Sequence, residues 1–148
     1  MTRRDFVSNT CICCAGGTAL GQLLSSCAVG RHIDGTLEGS GITVPLSTFI
    51  YTKDGKIPDR YFVLVDHEKL EFPIYLFHLR DTEFRALWMK CTHQGSALNA
   101  AGNYLYCSSH GSEFDQSGKV TRGPAERDLR SFPTSVQGDK IIIELTKE

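Results

Sequence analysis

The spacing that most constrains this chain lies between Cys91 and His110. Cys91-Thr92-His93 and Cys107-Ser108-Ser109-His110 each offer one thiolate and one imidazole, and a glycine closes each group, Gly95 in the first and Gly111 in the second. Thirteen residues, Gln94 to Tyr106, separate the two groups. Two soft sulfur donors and two imidazoles in paired loops mark a metal site. Four unrelated core residues would not need glycines beside each pair.

Two metal chemistries use this donor set. Structural zinc takes two Cys and two His tetrahedrally, but zinc knuckles pair C-x2-C with H-x3-5-H, and this chain divides its ligands as Cys-His plus Cys-His. In an iron-sulfur centre, thiolates hold iron in the cluster while neutral imidazoles on one iron remove negative charge and make it easier to reduce. Such mixed centres span about −150 to +300 mV, against about −400 mV for plant-type clusters held by Cys alone.

The pattern C-x-H, then C-x-x-H-G-S, followed by Phe114-Asp115, Gly118-Lys119-Val120 and Gly123-Pro124-Ala125, resembles the Rieske 2Fe-2S family. The resemblance runs from Leu87 to Glu144. It implies one 2Fe-2S cluster, with Cys91 and Cys107 on the inner iron and His93 and His110 on the outer, solvent-facing iron. It also implies that Gly123, Pro124 and Ala125 form a loop shielding the cluster, and that Ser112 donates a hydrogen bond to a bridging sulfide. The high-potential branch of the family bridges its ligand loops with two further cysteines, where this chain has Ser96 and Ser109. That branch also has a tyrosine donating to a ligand sulfur where this chain has Phe114. Hydrogen bonds to cluster sulfurs favour the more negative reduced state. One donor kept and one lost therefore predicts an intermediate potential.

The N-terminal residues read as an export signal. Thr2-Arg3-Arg4-Asp5-Phe6-Val7 resembles a twin-arginine motif, and no charge follows from Phe6 to Gly30. Leu24-Ser25-Ser26-Cys27 resembles a lipobox, so the expected organisation is a signal peptide over 1–26, lipid on Cys27, a tether over 27–41 and a domain over 42–148. A retained anchor and plain cleavage are the alternatives, with Asn9, Thr10, Gln22, Ser25 and Ser26 weakening a spanning helix. Twin-arginine export carries folded proteins, as a cluster inserted in the cytoplasm requires. Cys11, Cys13 and Cys14 then leave with the signal, Cys27 takes lipid, and Cys91 and Cys107 bind metal, leaving no thiol for a disulfide.

The remaining sequence predicts one all-β domain with the ligand loops at one tip, a Rieske-type antiparallel arrangement by the resemblance. Ile42 to Ile50, Tyr61 to Val65, Ile74 to Leu79, Phe84 to Met89 and Ile141 to Leu145 are apolar, β-branched or aromatic runs, and no helical period persists. Lys53-Asp54-Gly55 and Gln116-Ser117-Gly118-Lys119 are hairpin-like turns. Leu87-Trp88-Met89 and Tyr104-Leu105-Tyr106 lead directly into the ligand loops. His32 is expected solvated in the tether, His67 solvated in a turn, and His78 on a core or edge strand face.

A formal charge of −1 with no basic run excludes a nucleic-acid partner. Length and the lack of any histidine after Gly123 exclude a self-contained Rieske oxygenase, whose second domain needs two histidines and a carboxylate around mononuclear iron. Polar Gln94, where quinol-oxidising subunits have leucine, favours a water-exposed tip. The expected function is an exported electron-transfer protein on the periplasmic or outer side of a bacterial envelope, attached through lipid on Cys27. It would exchange single electrons with partner oxidoreductases or serve as a subunit of a larger one. The Rieske subunit of a quinol-oxidising complex and a non-redox zinc lipoprotein remain as alternatives.

Overall fold

The computed structural model of the protein describes residues 30–49, 62–80 and 82–145. The predicted signal peptide, Cys27, Tyr61 and the turn at Lys53-Asp54-Gly55 lie outside the described residues. Thirteen strands are described: β1 (His32–Asp34), β2 (Thr36–Glu38), β3 (Gly41–Pro45), β4 (Phe62–Asp66), β5 (Ile74–Arg80), β6 (Glu83–Trp88), β7 (Asn99–Ala100), β8 (Tyr104–Tyr106), β9 (Glu113–Asp115), β10 (Val120–Arg122), β11 (Ser131–Phe132), β12 (Thr134–Gln137) and β13 (Lys140–Glu144). One 3₁₀ turn, Leu46–Thr48, accompanies them. Among the described residues no helix is long and apolar enough to cross a membrane.

The strands form three sheets, ordered β1-β4-β5-β6-β11, β10-β9-β8-β7 and β12-β13-β3-β2. The five-stranded sheet is the middle layer because both of its faces are apolar. Side chains alternate across a strand, so Val63, Val65, Ile74, Leu76, Phe84 and Ala86 face one core with Ile42, Val44, Ile141 and Ile143. Their neighbours Leu64, Tyr75, Phe77 and Leu87 face a second core with Leu105 and Phe114. The register agrees: Val63 lies opposite Leu76 and Leu76 opposite Ala86, while Leu64 lies opposite Tyr75 and Tyr75 opposite Leu87. Two buried faces explain why Ile74 to Phe77 reads as a continuous apolar run.

Both thiols of the ligand loops, on Cys91 and Cys107, belong to the second core and are 2% and 1% exposed. The candidate site is thus built on the face of the central sheet opposite the β3-β13 base. Tyr75 spans that core and donates its hydroxyl to the Gly102 carbonyl at 2.8 Å.

The predicted long strands are present, with ends shifted by at most five residues. One expectation is corrected. The stretch read as a tether contains β1 and β2, with β1 pairing parallel to β4 and β2 antiparallel to β3. Gly35 between them packs so closely that an added Cβ would overlap the side chains of Ile42 and Val65. Small residues there serve close approach rather than flexibility. His32 is exposed, as expected, and its Nδ1 lies 2.6 Å from Asp66 Oδ2, tying β1 to the end of β4. His78 is buried and stacks on Phe84 with centroids 4.8 Å apart, as its strand phase predicts.

The turn at Gln116 to Lys119 joins β9 to β10. The Asp115 N–H donates to the Lys119 carbonyl, and Asp115 Oδ1 accepts from the Ser117 hydroxyl and from the Ser117 and Lys119 amides. Partial burial pushes the Asp115 carboxyl up, but the Ser117 hydroxyl, these amides and the Lys119 charge outweigh it, so its pKa lies below its ordinary value of 3.8. A depressed carboxylate pKa contributes stability above the unfolded value, and that contribution is lost as pH falls through the folded one. Acid titration of the amide resonances of Ser117 and Lys119 should show the turn loosening with a midpoint below the ordinary aspartate value, and Asp115→Asn should abolish that transition. Leu76→Ala, which opens a cavity between the central sheet and the base, should cost about 2–5 kcal/mol in denaturant unfolding.

Candidate metal centre

Each ligand loop begins where a strand of the second core ends. β6 stops at Trp88, and the Met89 N–H donates to the Pro73 carbonyl, holding the chain to the sheet until Cys91. β8 stops at Tyr106, immediately before Cys107. The outer faces of Tyr104 and Tyr106 are exposed, while Leu105 between them is fully buried. That alternation anchors the strand while leaving its end at the surface.

The two loops close by the same pair of backbone hydrogen bonds. The Cys91 N–H donates to the Ser96 carbonyl and the Gly95 N–H to the Cys91 carbonyl, both at 2.8 Å. Likewise the Cys107 N–H donates to the Ser112 carbonyl at 2.8 Å and the Gly111 N–H to the Cys107 carbonyl at 2.9 Å. The closing glycines have φ of 74° and 80°. An L side chain there is strained even where space is free, as it is at Gly111. The paired glycines seen in the sequence therefore meet a backbone requirement.

These loops bring the two candidate imidazoles together at the tip and the two candidate thiols together beneath them in the core. The His93 and His110 rings lie 4.9 Å apart at 83°. His93 is partly buried and His110 exposed. Both thiols are free, so no disulfide joins the described residues. Burial pushes the Cys107 thiol up, but the backbone N–H groups of His110 and Ser109, the Cys91 thiol and the Ser109 hydroxyl outweigh it, leaving its pKa below the ordinary 9.0. Donors thus converge on a sulfur suited to carry negative charge.

The donor set fits an iron-sulfur cluster on one observation in particular. His93 Nδ1 is buried without a hydrogen-bond partner among the described residues, a costly state for a polar atom unless a metal takes its lone pair. Among the described residues no three His, Cys, Asp or Glu side chains converge on a position for one ion.

The remaining residues named from the sequence are placed as follows. Ser112 is fully buried, and its Oγ accepts the Ala125 N–H at 3.0 Å, which leaves its own proton available to another acceptor. Gly123 and Pro124 directly precede Ala125, and their side of the loop is exposed. Phe114 is fully buried as an apolar wall. Cys27 lies outside the described residues. Sequence reasoning missed Thr92, whose hydroxyl donates to the Arg127 carbonyl at 2.5 Å. A hydroxyl residue between two ligands was the available signal. It also missed a cleft of about 420 Å³ beside the first loop, lined by Trp88, Lys90 and Arg127 to Arg130 as well as Cys91 to Gly95.

Known proteins share these features. Residues 48–133 match the model of the Rieske [2Fe-2S] domain. The chain is 46% identical over 55 residues to the cytochrome b6-f complex iron-sulfur subunit of Nostoc punctiforme, covering 36% of this chain and 31% of that protein. It therefore spans about a third of the length of the curated relatives it matches. Among solved structures, a chain of a hyperthermophilic respiratory Complex III superposes with a TM-score of 0.50 at 20% identity, covering 91% of this chain and 97% of that one. A chain from the complex of reduced oxygenase and oxidized ferredoxin in carbazole 1,9a-dioxygenase gives 0.54 at 17% identity, covering 75% and 98%. At these identities the superpositions establish the fold. The family match extends over more than half of the chain and contains both hydrogen-bonded ligand loops, so this chain belongs to the Rieske [2Fe-2S] domain family and carries one 2Fe-2S cluster.

Proposed function

We propose that the protein is a one-electron carrier whose cluster is held by Cys91, His93, Cys107 and His110. The observation that carries this reading is the unpartnered, buried His93 Nδ1 beside two buried free thiols on matching loops. When bound, the cluster supplies a metal pair that accepts and returns one electron. The chain's own residues do the rest. Cys91 and Cys107 offer thiolates from the core, His93 and His110 offer imidazoles from the tip, and Ser112 offers a fixed hydroxyl proton. The segment Gly123 to Ala125, held through Ser112, limits access of water.

The N-terminal organisation belongs to the same proposal. A twin-arginine signal over 1–26, lipid on Cys27 and attachment to the outer side of a bacterial membrane rest on Arg3-Arg4, the uncharged stretch to Gly30 and Leu24-Ser25-Ser26-Cys27. The membrane attachment that several acyl chains give would hold the carrier near its partners. A second reading, the iron-sulfur subunit of a quinol-oxidising complex, is favoured by the 46% identity to a b6-f subunit. Polar Gln94 and the serines at 96 and 109 favour the independent carrier.

The purified protein should contain two irons and two acid-labile sulfides and give a rhombic low-temperature EPR signal after dithionite reduction. Cys107→Ser and His93→Ala should each lose that signal. One zinc and no sulfide would defeat the reading. Its midpoint potential should fall between plant-type ferredoxins and the top of the Rieske range; a value at that top would favour the quinol-oxidising subunit.

Ser112→Ala removes a hydrogen bond to a charged centre worth about 1.5–3 kcal/mol. At 59 mV per tenfold change for one electron, the potential should fall by roughly 60–130 mV. Protein-film voltammetry checks this, and an unchanged potential would leave Ser112 with only its bond to Ala125.

A further inference from the structure

Beside the first ligand loop lies a cleft of about 420 Å³ that reaches His93 but does not include His110. One wall is the loop from Cys91 to Gly95, and the other is the segment from Arg127 to Arg130. The Thr92 hydroxyl bond to the Arg127 carbonyl fixes the two walls against each other. His93 thus lines a formed cleft, while His110 stands exposed outside it.

The cleft is lined by more basic than acidic side chains. Lys90, Arg127 and Arg130 line it with Asp128 as the one carboxylate, on a chain of formal charge −1. Asp128 turns Oδ1 to the Val120 N–H at 3.0 Å. Lys90 pairs with Glu71 at 2.9 Å. Lys90 and Arg130 also lie over the Trp88 ring, at 5.0 and 5.8 Å from its centroid. Arg127 is exposed and has no ion-pair partner among the described residues. The Trp88 indole N–H is buried and lacks an acceptor among the described residues.

From this placement we infer that the cleft is the docking seat for an acidic segment of the redox partner protein, and that the electron leaves through the His93 side of the cluster. The inference rests on the electron-carrier reading and adds the partner's charge and the exit. Arg127, exposed at the edge of the cleft beside the Lys90 and Arg130 side chains over Trp88, is placed to receive a carboxylate. A positive charge at the exit also raises the encounter rate of an anionic partner.

Two experiments test it. In the first, the reduced protein is mixed with ferricyanide or with tris(phenanthroline)cobalt(III). Each oxidant takes one electron from the cluster, becoming ferrocyanide or the cobalt(II) complex, with no proton transferred. Arg127→Glu should slow oxidation by the anion about threefold or more at low salt and speed oxidation by the cation, with both differences fading as salt is added. Arg127→Gln should give a smaller change of the same sign. Arg80→Glu makes the same charge change away from the cleft and should alter neither rate to that extent. The EPR signal should be unchanged in all three variants, and rates are compared after correction for each variant's own midpoint potential. Equal effects of the Arg127 and Arg80 reversals, or none, would overturn the proposal.

In the second, hexaglutamate peptide is titrated into the protein while Trp88, the one tryptophan of the chain, is followed by fluorescence. A saturable change that Arg127→Glu abolishes is expected. No change in the wild-type protein would overturn the seat. Missing iron and sulfide would instead defeat the electron-carrier reading, while this titration would still decide whether the cleft binds carboxylates.

Discussion

Two thiols must stay buried at a fixed separation with no covalent link between the loops that carry them. The structure meets this constraint by seating both cysteines in a core formed on one face of a sheet whose other face is also buried. In a sheet packed on both sides, a one-residue slip would send each set of side chains into the core fitted to the other, so both cores hold the register. Strand ends are then precise places from which to start a loop, and β6 and β8 deliver Cys91 and Cys107 from such ends. Backbone hydrogen bonds at 2.8–2.9 Å carry that precision through each turn. Each contributes only about 1 kcal/mol net, so the precision comes from the sheet behind them.

The loops share one closure but place histidine differently, two residues after Cys91 and three after Cys107. Because the turn is otherwise the same, this single-residue offset moves the imidazole to another side of it. The consequence is a nearly perpendicular pair of rings at 83°, one partly buried and one exposed. A donor set that looks symmetric in composition is therefore asymmetric toward solvent. Partner geometry and access can differ between the two histidines although their ligand chemistry is the same.

The sequence made the donor chemistry legible because cysteine and histidine at matched spacing have few other uses. Ile74 to Leu79 and Ile141 to Leu145 were equally legible as strands, since length and β-branching separate them from helices. The hairpin at Gln116 to Lys119 was marked by its own turn residues. What stayed hidden was long-range. β1 and β2 are three residues each, His-Ile-Asp and Thr-Leu-Glu, each with a single apolar residue between polar ones, and they are strands only because β4 and β3 lie beside them. The pairing of His32 with Asp66 follows from that parallel contact across 34 positions. The cleft was hidden for the same reason, since its second wall comes from residues far along the chain from its first. No local pattern encodes a contact between Thr92 and Arg127.

The segment from Gly123 to Arg130 links these observations. It is held to the second ligand loop through the Ala125 N–H on Ser112 and to the first through the Thr92 hydroxyl on Arg127, so one stretch of chain spans both loops where serines replace any bridging cysteines. Its further end returns to the sheet: the Leu129 N–H bonds the Gly118 carbonyl, and the Trp88 N–H bonds the Arg130 carbonyl. Hydrogen bonds are individually weaker than a disulfide, but four of them distributed along one segment fix its position relative to both loops. The same segment presents Arg127 to solvent beside His93. Whatever displaces this segment must therefore act on the enclosure of the buried thiols and on the charged rim together, which ties the internal order of the centre to the surface at which another molecule meets it.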